Sequence, residues 1–234
     1  MPNLTRRNLL AMSAVAPAMG LFYTQKTLAG VASNSDPTTT TPKQLAVRKR
    51  LQERYFPNVP LITQDGKKVH FYDDLVKDKI VVISIFYAHC QEACPRINRN
   101  LEKVQEMLGD RMGRDIFINS ITIKPEQDTP HELKQFAKTF HAGPGWTFVT
   151  GHPDDIELLR RSLRFVDPNP ERDKDKSRHS GMLRIGNEPY TIWSMAQAQA
   201  RPESIVEEVK GTIVAQPLAA NTKFGPACEA ETKS

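Results

Sequence analysis

Between Lys79 and Tyr87 the chain reads KIVVISIFY, a continuous apolar and largely β-branched run with no polar face, which is the pattern of a strand buried on both sides. From Ile97 the rhythm changes: Ile97, Leu101, Val104 and Leu108 recur at helical spacing, so a helix begins within or just after the intervening segment, where Pro95 suits a first turn. IFINSITI (116–123) predicts a second strand, and Asp128-Thr129-Pro130 with Glu132 close behind opens a second helix. WTFVTG (146–151) predicts a short strand, followed by a helix from His152-Pro153-Asp154-Asp155 through Arg164. After a polar, proline-punctuated loop at 167–178, GMLRIGN and EPYTIW predict two adjacent strands, and a last helix runs from Pro202 to about Val214. Upstream, PLITQDGKKVHFY holds two short alternating runs around Asp65-Gly66, a hairpin signal. Strands alternating with helices predict an α/β three-layer sandwich. A C-x-x-x-C loop between a buried strand and a helix N-terminus narrows this to a thioredoxin-like fold around a central mixed β-sheet.

The ends of the chain have a different character. The first 32 residues carry Arg6, Arg7 and Lys26 and no acidic residue, and the apolar run from Leu9 to Tyr23 is broken by Pro17. That run is short of the roughly 20 residues a bilayer span needs. A basic start, a short apolar middle and small residues at Gly30 and Ala32 predict an export signal over 1–32, cut after Ala32 or Ala18, and TRRNLLA is similar to twin-arginine signals. SNSDPTTTTPKQ (33–44) is polar and without periodicity, so 33–54 is read as a flexible spacer, 55–215 as the domain and 216–234 as a tail. The expected location is the periplasm or the outer face of the cytoplasmic membrane, with membrane attachment only if the signal is kept as an anchor.

The 234-residue chain is long enough for a core without staples. Its formal charge is +5, and loss of the three cations of the signal would leave +2, so the basic balance belongs mostly to the leader. LRRSLRF (159–165) and ERDKDKSR (171–178) read as solvated surface with no aromatic platform, and nucleic acid is not an expected partner.

Cys90 and Cys94 therefore carry the chemistry, and Cys228 is left over in an odd count of three. If the helix begins near Cys94, the unpaired N–H groups of its first turn and the positive end of its dipole favour a thiolate there. Such a pair serves thiol redox chemistry and soft-metal binding alike. The three-residue gap permits a disulfide but also allows the sulfurs to flank a metal ion, so spacing leaves both readings open. An inert staple would close so small a loop that it adds only roughly 2–3 kcal/mol. Of six histidines, His89 follows a strand end and is expected to point away from Cys90, and His70, His131, His141 and His152 sit in ordinary surface or helix-start contexts. His179 ends a long loop just before a strand, where it can reach over the sheet end that carries the cysteines.

With these residues in place, FYAHCQEACP resembles the F-Y-x-x-C-x-x-x-C-P segment of the Sco/SenC copper proteins of cytochrome c oxidase assembly, and RHSG (178–181) resembles that family's histidine segment. KPEQDTPHELKQFAKTF followed by WTFVTG is similar to the stretch between them, and the match extends over about residues 55–214. The resemblance implies one copper ion, Cu(I) or Cu(II), held by Cys90, Cys94 and His179. It implies delivery of that ion to the dinuclear copper centre of an oxidase subunit or another cuproprotein, or reduction of that centre's cysteines, with a thiol reductant as a further partner. Two thiolates suit Cu(I) and an imidazole extends the site to Cu(II). The alternative is an enzyme, a metal-independent thiol-disulfide oxidoreductase cycling Cys90 and Cys94. Three positions depart from the pattern: Gln91 in place of a proline, and Lys124 and Arg178 in place of aspartates. An arginine beside His179 cannot accept a hydrogen bond from the imidazole. Met182 is read as a packing residue rather than a thioether ligand.

Overall fold

A computed structural model describes residues 42–90, 93–175 and 181–213. The export signal at 1–32, Gln91, Arg178, His179 and Cys228 lie outside the described residues. The described chain begins with helix α1 (Pro42–Tyr55), continues through the hairpin strands β1 (Pro60–Thr63) and β2 (Lys68–His70), and makes a π-helical turn over Phe71–Val76. Strand β3 (Ile80–Phe86) leads to α2 (Ala93–Leu108), β4 (Ile116–Thr122) to α3 (Pro130–Thr139), and β5 (Trp146–Gly151) to α4 (Pro153–Ser162). A one-turn helix α5 (Pro170–Asp173), the strands β6 (Met182–Asn187) and β7 (Ile192–Gln197), and helix α6 (Pro202–Gly211) complete it.

The seven strands form one sheet in the order β2-β1-β5-β4-β3-β6-β7. The central β3, β4 and β5 are parallel, joined by crossover helices, and β1, β6 and β7 add antiparallel edges. All seven residues of β3 are buried because the sheet has a core on each face. Ile80, Val82 and Phe86 face one core with Ile97, Leu101 and Val104 of α2, Leu133 of α3 and Ile205 of α6. Val81, Ile83 and Ile85 face the other with Phe71, Leu75 and Val76 of the π-turn and Ile156 and Leu159 of α4. The layers are helix, mixed sheet and helix, the expected α/β sandwich. Among the described residues no helix is long and apolar enough to cross a membrane.

Four local expectations are corrected. The stretch assigned to spacer up to residue 54 is helical from Pro42: none of the residues of α1 is buried, Tyr55 at its end packs against the α4-side core, and Arg48 pairs with Glu188 and Asp78. The helix after β5 stops at Ser162, and Arg164 takes a left-handed φ of 66° two residues on. The second strand of the terminal hairpin starts at Ile192 instead of Glu188. Residues Glu188 to Thr191 make the turn, closed by Thr191 N–H on the Glu188 carbonyl at 2.9 Å with Thr191 at φ 55°. The arginine-rich run is only partly surface: the Arg160 guanidinium is sealed in, donating to Asp173 at 2.6 and 2.7 Å and to Glu157, so the polar loop after α4 folds back through α5.

Candidate metal and thiol centre

Strand β3 delivers the chain to the C-terminal end of the parallel strands, where α/β sheets commonly place their sites. Its last residue Phe86 pairs with Thr122 of β4, and Ile123 N–H donates to the Phe86 carbonyl at 2.9 Å. The backbone then turns, with Cys90 N–H on the Tyr87 carbonyl at 3.2 Å. His89 is exposed while Cys90 is buried, the opposed pair expected of neighbours at a strand end. Cys94 lies in the first turn of α2 and is fully buried.

The two cysteines are side by side and are not joined in a disulfide. Cys94 N–H donates to Cys90 Sγ at 3.4 Å, so one of the orphan donors of the helix start is spent on the other cysteine. One turn on, Asn98 Nδ2 donates to the Cys94 carbonyl at 2.8 Å and fixes this end of the helix. Burial pushes the Cys94 thiol well above the ordinary cysteine range, the hydrogen bond with Cys90 and the negative charges of Cys90 and Asp128 push the same way, and a backbone hydrogen bond with Tyr87 offsets part of it. At Cys94 burial thus works against the thiolate that the helix dipole favours.

Asp128 was read from the sequence only as part of a helix start. Thr129 is the N-cap of α3, in a capping box with Glu132, which leaves Asp128 free for another task. It is 1% exposed, and its Oδ2 accepts from Ala88 N–H at 3.1 Å and from the Thr122 hydroxyl. Its Oδ1 is buried and has no hydrogen-bond partner among the described residues. The available signal in the sequence was an aspartate directly before a threonine that could cap the helix unaided. Lys124 is half-buried, with Nζ 4.1 Å from the centre of the Tyr87 ring. Met182 packs against the α4-side core, whereas both cysteines belong to the α2-side core, which supports the packing reading.

Two soft sulfur donors, adjacent and shielded from water, make a donor set that fits a soft monovalent ion. Among the described residues no group of three or more His, Cys, Asp or Glu is placed to hold a metal, and the third expected donor, His179, is not among them. His70, His131, His141 and His152 are exposed, His141 pairing with Glu102 and His152 capping α4.

Fold and site together define a thioredoxin-like domain with a buried C-x-x-x-C thiol pair between a central strand and the following helix. The SCO1/SenC family model matches residues 47–214, and the chain belongs to this family. It is 24% identical over 151 residues to the SCO1 protein homolog of Bacillus subtilis, covering 63% of this chain and 77% of the relative. It is 28% identical over 116 residues to the mitochondrial SCO1 homolog 1 of Arabidopsis thaliana, covering 49% of this chain but only 34% of that longer protein. Among solved structures, copper-bound ScoI of Bradyrhizobium japonicum superposes with a TM-score of 0.54 at 24% identity, over 66% of this chain and 96% of that one.

Proposed function

We propose that this protein is an exported copper-binding chaperone that takes up copper as cargo at Cys90, Cys94 and His179 and passes it to the dinuclear copper centre of a cytochrome oxidase subunit or to another cuproprotein. The observation that carries this reading is the pair of buried cysteines, not joined in a disulfide and in contact through Cys94 N–H and Cys90 Sγ. Family membership supports it, as does the copper held by the related ScoI. Two cysteine sulfurs suit Cu(I), an imidazole would extend the site to Cu(II), and three protein donors would leave the ion open to attack by an acceptor's thiol. Export to the periplasm or the outer face of the cytoplasmic membrane rests on the basic, then apolar, start of the chain.

Titration of the purified chain with Cu(I) and, separately, with Cu(II) against chromophoric competitors tests the reading. The parent is expected to bind one ion, Cys90→Ala and Cys94→Ala to lose it, and His179→Ala to lose Cu(II) selectively. Variants that bind as much copper as the parent would overturn it. A thiol-disulfide oxidoreductase would instead turn over a disulfide substrate in a manner that survives His179→Ala and fails with Cys94→Ala.

A further inference from the structure

Three segments meet at Asp128. The exit of β3 is tied to it through Ala88 N–H at 3.1 Å, two residues before Cys90. The end of β4 is tied through the Thr122 hydroxyl, which in turn accepts Lys124 N–H at 3.0 Å. The entry to α3 is tied by the backbone, with Asp128 N–H on the Lys124 carbonyl at 3.0 Å and Thr129 capping the helix immediately after. Cys90 follows Ala88 in a turn closed on Tyr87, so whatever fixes Ala88 fixes the point from which the Cys90 side chain departs. Cys94 is fixed independently, by the helix and by Asn98. On the Cys90 side the placement of the sulfur thus depends on one buried side chain, whose second oxygen has no partner among the described residues. Leaving a buried acceptor unmatched costs on the order of 1–3 kcal/mol, and Asn98 Oδ1 beside Cys94 is likewise buried without a partner among the described residues, so it is the ties to Ala88 and Thr122 that distinguish Asp128.

We infer that Asp128 is a positioning residue that holds Cys90 and Cys94 in their reduced, side-by-side arrangement and so biases the pair against closing into a disulfide. The hydrogen bonds to Ala88 and Thr122 are present in the dithiol form, and any shift of the Cys90 segment that accompanies S–S bond formation works against them. The inference rests on Cys90 and Cys94 being the working pair, but not on what they bind.

The test is the equilibrium of the full chain with glutathione at pH 7, in which two protein thiols and one oxidised glutathione give the protein disulfide and two reduced glutathiones. After acid quenching and alkylation, both cysteines fall in the single tryptic peptide Ile80–Arg96, apart from Cys228, so mass spectrometry counts dithiol and disulfide directly. Asp128→Ala is expected to shift the constant about tenfold toward the disulfide, equal to about 30 mV for a two-electron couple. Asp128→Asn keeps an acceptor for Ala88 and a partner for Thr122 and is expected to stay within about twofold of the parent, since uncharged thiols become an uncharged disulfide. Thr122→Val, which removes one tie and serves if Asp128→Ala does not fold, is expected to shift about threefold in the same direction. Constants for Asp128→Ala and Thr122→Val within about twofold of the parent would overturn the inference, as would an Asp128→Asn shift as large as that of Asp128→Ala. No copper enters this measurement, so failure of the chaperone reading in the copper titration leaves it intact and readable.

Discussion

Glu188 and Asp128 are both carboxylates sealed from solvent, at 3% and 1% exposure, and their surroundings differ in kind. Every lone pair of Glu188 that faces a donor is used: Oε1 accepts from Arg48 Nε at 2.9 Å and the Tyr72 hydroxyl at 2.8 Å, and Oε2 from Arg48 Nη2 at 2.5 Å and Asp78 N–H at 2.8 Å. Among the described residues Asp128 has two donors on one oxygen and none on the other. Glu188 joins α1, the π-turn and the β6–β7 turn, far along the chain from one another, and it behaves as a fully matched junction. Asp128 stands beside the thiols, where a fully matched carboxylate would be rigid but could not respond to the state of the pair. The difference separates a buried charge that fixes the scaffold from one that biases a site.

The largest effect that would break this comparison is at the scaffold end. Glu188→Ala leaves Arg48 with Asp78 as its one acid partner among the described residues and takes the acceptor from the Tyr72 hydroxyl and the Asp78 N–H, and a loss of about 3 kcal/mol in urea unfolding is expected, with copper binding per folded chain unchanged. A loss below about 1 kcal/mol would mean that α1 is an ornament of the fold and that the matched network contributes little. A third carboxylate, Asp173, sharpens the contrast through pH. Its hydrogen bonds from Arg160 hold its carboxyl at about 2, below the ordinary 3.8. Because the folded value is the lower one, its stabilisation is present above about pH 4 and disappears as pH falls toward 2. Asp173→Asn is expected to cost about 2 kcal/mol at pH 7 and almost nothing at pH 2, read as the gap between the two stability curves. A gap that stays constant with pH would show that the Arg160 pairing is not its source.

These networks also explain what could be read along the chain and what could not. The β3 run, the capping box at Thr129 and Glu132, and the placement of Cys94 in the first turn of α2 were legible because each depends on neighbours within a few residues. Helix α1 was not, since its anchor Arg48 reaches Glu188 across 140 positions and no apolar stripe announces it. Arg160 looked like surface because Asp173, its partner, sits 13 residues on in a loop with no periodicity. The offset of β7 has the same origin: Glu188 is drawn inward by Arg48 and Tyr72 and so becomes turn rather than strand. At the site, the cysteines were legible from spacing, whereas Asp128 became visible only once β3 and β4 were paired at Phe86 and Thr122.

Lys124 supplies the smallest and sharpest test of how local the site's electrostatics are. It stands next to the segment that carries Cys90, and on charge alone a lysine there would strengthen thiolates and oppose a bound cation. Its Nζ instead lies over the Tyr87 ring at 4.1 Å, and Cys94 takes its negative influence from Asp128 and Cys90 rather than a positive one from Lys124. A half-exposed ammonium over an aromatic face contributes roughly 0.5–1 kcal/mol and is screened by salt at distances beyond about 10 Å. Lys124→Met keeps the stem against the ring and removes the charge, so it is expected to lower stability by no more than about 1 kcal/mol and to change Cu(I) affinity by less than about threefold. The same substitution assayed at low and high salt decides the matter: an affinity gain of tenfold or more at low salt that vanishes at high salt would place Lys124 in the field of the cysteines and move the electrostatic control of the site from Asp128 to the lysine.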